Sequence, residues 1–191
     1  MPHTSTTVAV TGGVACGKST VGKILQGMGY PLMDSDHIAR TLLDQDSSIR
    51  KQVLTRLGTL DRKELREIIF HDPKKKKELE SILHPSIQKT YLTWIDEQRT
   101  HHSPYIFVLI PLLFESGSDR HFDKVLCVVC DEETQLNRLR QRDGIDDELA
   151  MQMVQSQLPN LEKAKRSDWV IENNNDLSTL ETKLNLIFNI A

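Results

Sequence analysis

"VAVTGGVACGKST", residues 8–20, sets a short, mostly apolar run against a glycine-rich turn, then a lysine followed by two hydroxyl side chains. Gly12, Gly17, Lys18 and Ser19 match the spacing G-x-x-x-x-G-K-[ST]. The match lies directly after a β-rich run and directly before helical periodicity, where that pattern has physical meaning. Glycines let the backbone curl until successive amide N–H groups point at phosphate oxygens, and a helix beginning near Lys18 adds the positive end of its dipole. The stretch Gly12, Gly13, Val14, Ala15, Cys16, Gly17, Lys18, Ser19, Thr20 is therefore read as a nucleotide-phosphate loop. In it Lys18 would reach the β- and γ-phosphates, and the Ser19 hydroxyl would ligate Mg²⁺.

Four further β-rich runs follow, "YPLMD", "YIFVLI", "KVLCVV" and "DWVIEN", separated by stretches of helical periodicity. Near-continuous apolar strands alternating with helices indicate a parallel sheet covered on both faces, the α/β layer architecture. Val21, Ile24, Leu25 and Met28 recur at helical spacing after the loop, with Gly29 as a stop signal. A closing helix carries Leu177, Leu180, Leu184, Ile187 and Phe188, with Asp176 as its cap.

Between the second and third runs lie about 70 residues without a strand, far more than a simple crossover of a dozen or so requires. They are read as a helical insertion, 37–103. Asp72 and Pro73 fit the start of a helix whose apolar face is Leu79, Ile82, Leu83, Ile87, Tyr91, Trp94 and Ile95, and Pro85 predicts a kink or break within it. His84 is thereby displayed at an irregularity. Residues 1–36, 104–138 and 167–191 make the nucleotide-binding core. Residues 139–166, polar over 144–166 and containing Pro159, suit a lid that closes and excludes water.

The chain has 191 residues, 38% apolar and 27% charged, with a formal charge of −3, so it offers no broad attraction to nucleic acid and its partner is expected to be small. No stretch approaches the 18 or so apolar residues of a membrane helix, and the start "MPHTSTT" lacks the parts of a signal peptide, so a cytoplasmic location is the expectation. Cys127 and Cys130 lie in the apolar run "KVLCVVC" without a second ligand pair and read as reduced strand cysteines. Cys16, in the loop and near a helix N-terminus, reads as a partly exposed, oxidation-sensitive thiol.

The second run ends in "MDSDHIAR", which places Asp34 and Asp36 at the carboxyl end of a strand, the ligand edge of such sheets. Asp34 or Ser35 fits a helix cap, and Asp36 can accept a hydroxyl proton near a γ-phosphate. Arg40, one turn on, could meet an acidic part of a substrate. Arg138 and Arg142 lie four apart on one helix face, where like charges repel by a few tenths of a kcal/mol unless they share an anion such as a triphosphate. D-x-x-G is absent and "TKLN" at 182–185 lacks the aspartate of a guanine motif, which favours ATP over GTP. These residues leave open a kinase for a small alcohol, such as a nucleoside monophosphate, shikimate or gluconate, and also a nucleotide-dependent switch or assembly ATPase.

The combination of "VTGGVACGKST", "DSDHIAR", "GTLDRKELREIIF", "ILHPSI", "PLLFE", "RLRQRDG" and "SDWVIENN", spread over nearly the whole chain, resembles the dephospho-coenzyme A kinase family. The resemblance implies a P-loop kinase with a five-stranded parallel core, a coenzyme A-binding insertion at 37–103 and a lid at 139–166. It would pass the γ-phosphate of ATP, with Mg²⁺, to the ribose 3′-hydroxyl of dephospho-CoA. By motif position Asp36 would be the general base and Lys18, Arg138 and Arg142 the groups around the phosphates. Arg40, His84, Pro111 and Leu112 would face the substrate, and Asn173 and Asn174 the adenine. The family usually has glycine and serine where this chain has Ala15 and Cys16. If position 15 is left-handed, alanine there costs on the order of 1 to 2 kcal/mol.

Overall fold

The computed structural model describes residues 5–188, so the first four residues of the polar start and the last three of the chain lie outside it. Five strands form one sheet in the order β2-β3-β1-β4-β5, with β1 Thr6–Gly12, β2 Leu32–Asp34, β3 Tyr105–Leu109, β4 Lys124–Val129 and β5 Trp169–Glu172. β1 pairs in parallel with β3 (Val8 beside Phe107) and with β4 (Gly12 beside Val128), and β4 pairs in parallel with β5. The central strand is buried without interruption from Thr7 to Gly12, because neighbours cover it on both edges and both faces.

Helices α1 Lys18–Gly27 and α9 Leu177–Phe188 share a core with the sheet, in which Val21, Leu25, Leu180, Leu184 and Phe188 meet Val8, Val10, Phe107, Leu126 and Ile171. The Phe188 ring packs edge-on to Tyr105, Phe107 and Trp169 at centroid distances of 5.1, 5.0 and 5.2 Å. Each such fully buried apolar side chain contributes roughly 1.5–3 kcal/mol. The strands are pinned at their entrances: Asp123 accepts from both the amide and the hydroxyl of Thr7, and Asp168 accepts from Val125 N and Lys124 Nζ. Helices α6 Glu132–Asp143, α7 Asp147–Gln155 and α8 Asn160–Lys165 follow β4 and span the stretch expected as a lid, with α8 against β1 and β4.

The chain divides into two compact units, 5–33 with 97–188 and 34–96. The second begins three residues before the expected insertion and holds α2 Ser35–Gln45, α3 Ser47–Leu57, α4 Arg62–His71 and most of α5 Pro73–Arg99. An aspartate caps each in turn: Asp34, Asp46, Asp61 and Asp72 accept from first-turn amides. Such caps are worth about 1 kcal/mol each. Ile49, Val53, Leu57, Leu65, Leu79, Ile82 and Leu83 form this unit's own core.

Of the kink or break expected at Pro85, the break does not occur, and α5 runs through it as one helix of 27 residues. Proline removes the donor to the Ser81 carbonyl, but Ser81 and Pro85 are both exposed, so water can satisfy that oxygen. Buried Ile82, Leu83, Tyr91 and Ile95 hold the helix on either side. Among the described residues no helix is long and apolar enough to cross a membrane.

Candidate nucleotide site

The loop leaves the sheet at Gly12 and enters α1 through Gly17, a left-handed N-cap at φ 99°. The Asn173 side-chain amide, just past β5, donates to the Cys16 carbonyl at 2.8 Å. A Cβ on Gly17 would stand 2.1 Å from that same Asn173 nitrogen, so glycine is required here both by φ and by close approach. Asn173, expected at the adenine, thus braces the loop itself. Asn174, also expected at the adenine, accepts from the Asp131 amide at the start of α6 at 3.0 Å.

Ala15 has φ 59°, so the left-handed case, in which alanine carries a cost, is the one that holds. An alanine there stores roughly 1–3 kcal/mol and keeps that conformation only where its surroundings hold it. Its neighbours are held. The Gly13 amide donates to Asn160 Oδ1 at 3.1 Å and the Val14 amide to Gln157 Oε1 at 2.9 Å, while the Val14 carbonyl accepts from Gln135 Nε2 at 2.7 Å. None of these three side chains belongs to a recognisable motif, and the sequence reading missed them.

Lys18 Nζ turns onto the loop, donating to the Gly12 and Gly13 carbonyls at 2.9 and 2.8 Å. Ser19 is exposed on the first turn of α1, and Thr20 is a helical residue whose amide bonds Gly17 O. On α6, one turn beyond Gln135, Arg138 has a buried Nη1 with no hydrogen-bond partner among the described residues. Arg142 differs. It is held bidentately by Asp143, Nε to Oδ1 at 2.8 Å and Nη2 to Oδ2 at 2.6 Å, so its own charge is met by the next residue in the chain. Arg140 pairs with Asp147 and Asn137.

Cys16 is fully buried, which corrects the partly exposed thiol expected from sequence. The Cys130 thiol donates to Cys16 Sγ across 3.4 Å. This bond above all pushes the Cys16 thiol down to about 6; Asn160 and Lys18 add to it and burial opposes it. The same bond and burial push Cys130 up, and burial pushes Cys127 up to about 11.

Past β3, Pro111 and Leu112 are half-buried, and the Pro111 carbonyl accepts from Thr11 Oγ1 and from Lys163 Nζ. Lys163 is wholly buried and pairs with Glu115 at 2.9 Å. A cation so placed is tolerated only because it is paired and hydrogen-bonded. In the second unit, Asp36 and Arg40 are exposed one turn apart on α2, the Asp36 amide donates to Asp34 Oδ1, and His84 is half-buried on α5.

The family profile described as dephospho-CoA kinase matches residues 6–179. Two relatives described by that activity are those of Fusobacterium nucleatum, 40% identical over 93% of this chain and 94% of the relative, and Gloeobacter violaceus, 35% identical over 93% and 88%. Among solved structures, dephospho-CoA kinase from Campylobacter jejuni is 30% identical with a TM-score of 0.71, covering 96% of this chain and 95% of that one. TT1252 from Thermus thermophilus is 31% identical with a TM-score of 0.80 over 97% of both chains. Shikimate kinase from Acinetobacter baumannii, 19% identical with a TM-score of 0.54 over 98% and 95%, shares the fold alone.

Proposed function

The chain belongs to the dephospho-CoA kinase family and carries out ATP-dependent phosphorylation of the ribose 3′-hydroxyl of dephospho-CoA, giving CoA and ADP; we propose how its own residues divide that work. The match of family and loop over 6–179 carries this reading. The loop from Gly12 to Thr20 holds the triphosphate by the backbone amides from Ala15 onward that make no bond among the described residues, with the N-terminus of α1, while the Gly13 and Val14 amides are engaged by Asn160 and Gln157. Lys18 exchanges its contacts with the Gly12 and Gly13 carbonyls for β- and γ-phosphate oxygens. The orphaned Nη1 of Arg138 supports its assignment to the phosphates, since a buried guanidinium nitrogen is costly to leave unpaired and an anionic oxygen satisfies it. Arg142 joins it by giving up Asp143.

Asp36, on α2 of the second unit, takes the proton of the 3′-hydroxyl as that oxygen attacks the γ-phosphorus. Arg40 and His84 orient the acceptor, and Pro111 and Leu112 line its pocket. Mg²⁺ fits the donor present: Ser19 offers a hard hydroxyl oxygen, and such ions are commonly held by substrate phosphates with few protein ligands. When bound, the ion offsets charge on the phosphates. Residues 139–166 serve as the lid, and the reaction is cytoplasmic. The net charge of −3 supports a reading without a nucleic-acid partner.

The purified protein, incubated with ATP, Mg²⁺ and dephospho-CoA, is expected to yield CoA detectable by mass. No CoA, alongside turnover of another alcohol, overturns the reading. Asp36→Asn should bind ATP yet lose most phosphoryl transfer, and unchanged turnover removes Asp36 as the base.

A further inference from the structure

We propose that the side-chain amides of Asn160, Gln157 and Gln135 are positioning residues for the kinase reaction, clamping the entry of the phosphate loop so that the left-handed turn at Ala15 keeps its phosphate-binding shape. This rests on the reading that the loop binds ATP.

The clamp is built as a connected network. Asn160 uses both ends of its amide: Oδ1 accepts from Gly13 N, while Nδ2 donates to Gln135 Oε1 at 3.2 Å and to the Cys130 carbonyl at 3.3 Å. The other end of the Gln135 amide reaches the Val14 carbonyl, and Gln157 takes the Val14 N–H. Both backbone groups of Val14 and the amide of Gly13 are thus satisfied by side chains from elements far away in sequence. A Cβ on Gly13 would lie 2.4 Å from Asn160 Oδ1 and 2.7 Å from Gln135 Nε2, so the clamp occupies the space that any larger residue would need.

The platform behind it is fixed. Gln135 is buried on α6, and α8, which presents Asn160, is anchored one turn on by the buried Lys163 to the Pro111 carbonyl and Glu115. Glu115 Oε1 also accepts from the Leu158 amide, between Gln157 and Asn160. With Asn173 holding the Cys16 carbonyl at the exit, Ala15 lies between two clamps. Glycine adopts its conformation at little cost, whereas alanine relaxes from it unless the flanking residues are held. Neutral amides suit this position, because a carboxylate in their place would repel the triphosphate and a lysine would compete for it.

Asn160→Ala should raise KM for ATP about tenfold, the size of a lost hydrogen-bonded support, with KM for dephospho-CoA changed less than about twofold. Adding Ala15→Gly should then recover most of the ATP effect, and more than Ala15→Gly gains in the wild-type background. A merely structural role moves neither the split between the two KM values nor the rescue. Should Asn160→Ala not fold, Gln157→Ala, which touches the loop at Val14 N alone, is expected to show the same pattern at smaller size. The proposal fails if ATP KM stays within twofold, if both KM values rise together, or if Ala15→Gly gives no extra recovery. In each case wild-type conversion of dephospho-CoA to CoA, measured alongside, shows that the kinase reading itself still stands.

Discussion

Asn173 donates to the carbonyl of Cys16 at 2.8 Å while its nitrogen fills the space where a Cβ of Gly17 would stand, so one side chain both supports the loop exit and dictates the residue there. Gly17→Ala should therefore lose nucleotide binding by at least about a hundredfold in calorimetry, because clash and φ 99° add. Asn173→Ala should cost about tenfold, the worth of its buried hydrogen bond. Combining the two should not restore binding, since the backbone conformation remains forbidding.

The Cys130 thiol donates to Cys16 Sγ, and this bond makes Cys16 the stronger acid of the two, pushed down to about 6. Removing the donor removes the largest cause of that depression and leaves burial, which acts in the opposite direction. In Cys130→Ala the pH profile of the Cys16 thiolate ultraviolet absorbance, read against a Cys16→Ser, Cys130→Ala reference, should move to higher pH. An unchanged profile would show that the sulfur contact is not the cause.

Lys163→Met should destabilise the fold by about 1–2 kcal/mol in urea titration, because it takes a donor from the Pro111 carbonyl and leaves the solvent-accessible Glu115 carboxylate without its cation. Pairing the change with Glu115→Gln, which removes the stranded charge and keeps an acceptor for the Leu158 amide, should recover part of the loss.

Asp168 is held below the usual carboxylate range, first by Lys124 and further by the Val125 amide. Its contribution is fully present above the unfolded carboxylate pKa near about 4 and is lost as pH falls through the lower folded value. Asp168→Asn should flatten the acid limb of a stability-against-pH curve and change little at alkaline pH. The pair is partly exposed, so the effect should be modest and shrink further in salt.

The strands and the loop were legible because their signals are local: an apolar run, a glycine turn and a lysine stand within thirteen residues of one another. The same stretch marked Ala15 as the position to check, without deciding its conformation. Asn160, Gln157, Gln135 and Lys163 were not legible, since an amide or a lysine in a polar stretch looks like surface until folding brings its partner from over a hundred residues away, or from the Pro111 carbonyl. Gly13 carried the one available hint, a glycine at a position the motif leaves free. Pro85 misled for a different reason, because the local rule is correct about the missing bond and says nothing of which side faces water.

Because β1 sits in the middle of the sheet, its partners are β3 and β4, made long after it during synthesis. The strand that ends up deepest in the sheet must therefore wait without an edge to pair with, exposed to misassociation, while residues 34–96 can close their own core. Chaperone dependence of a nascent chain stalled before Tyr105, relieved once Val129 has emerged, is the cellular counterpart of that strand order.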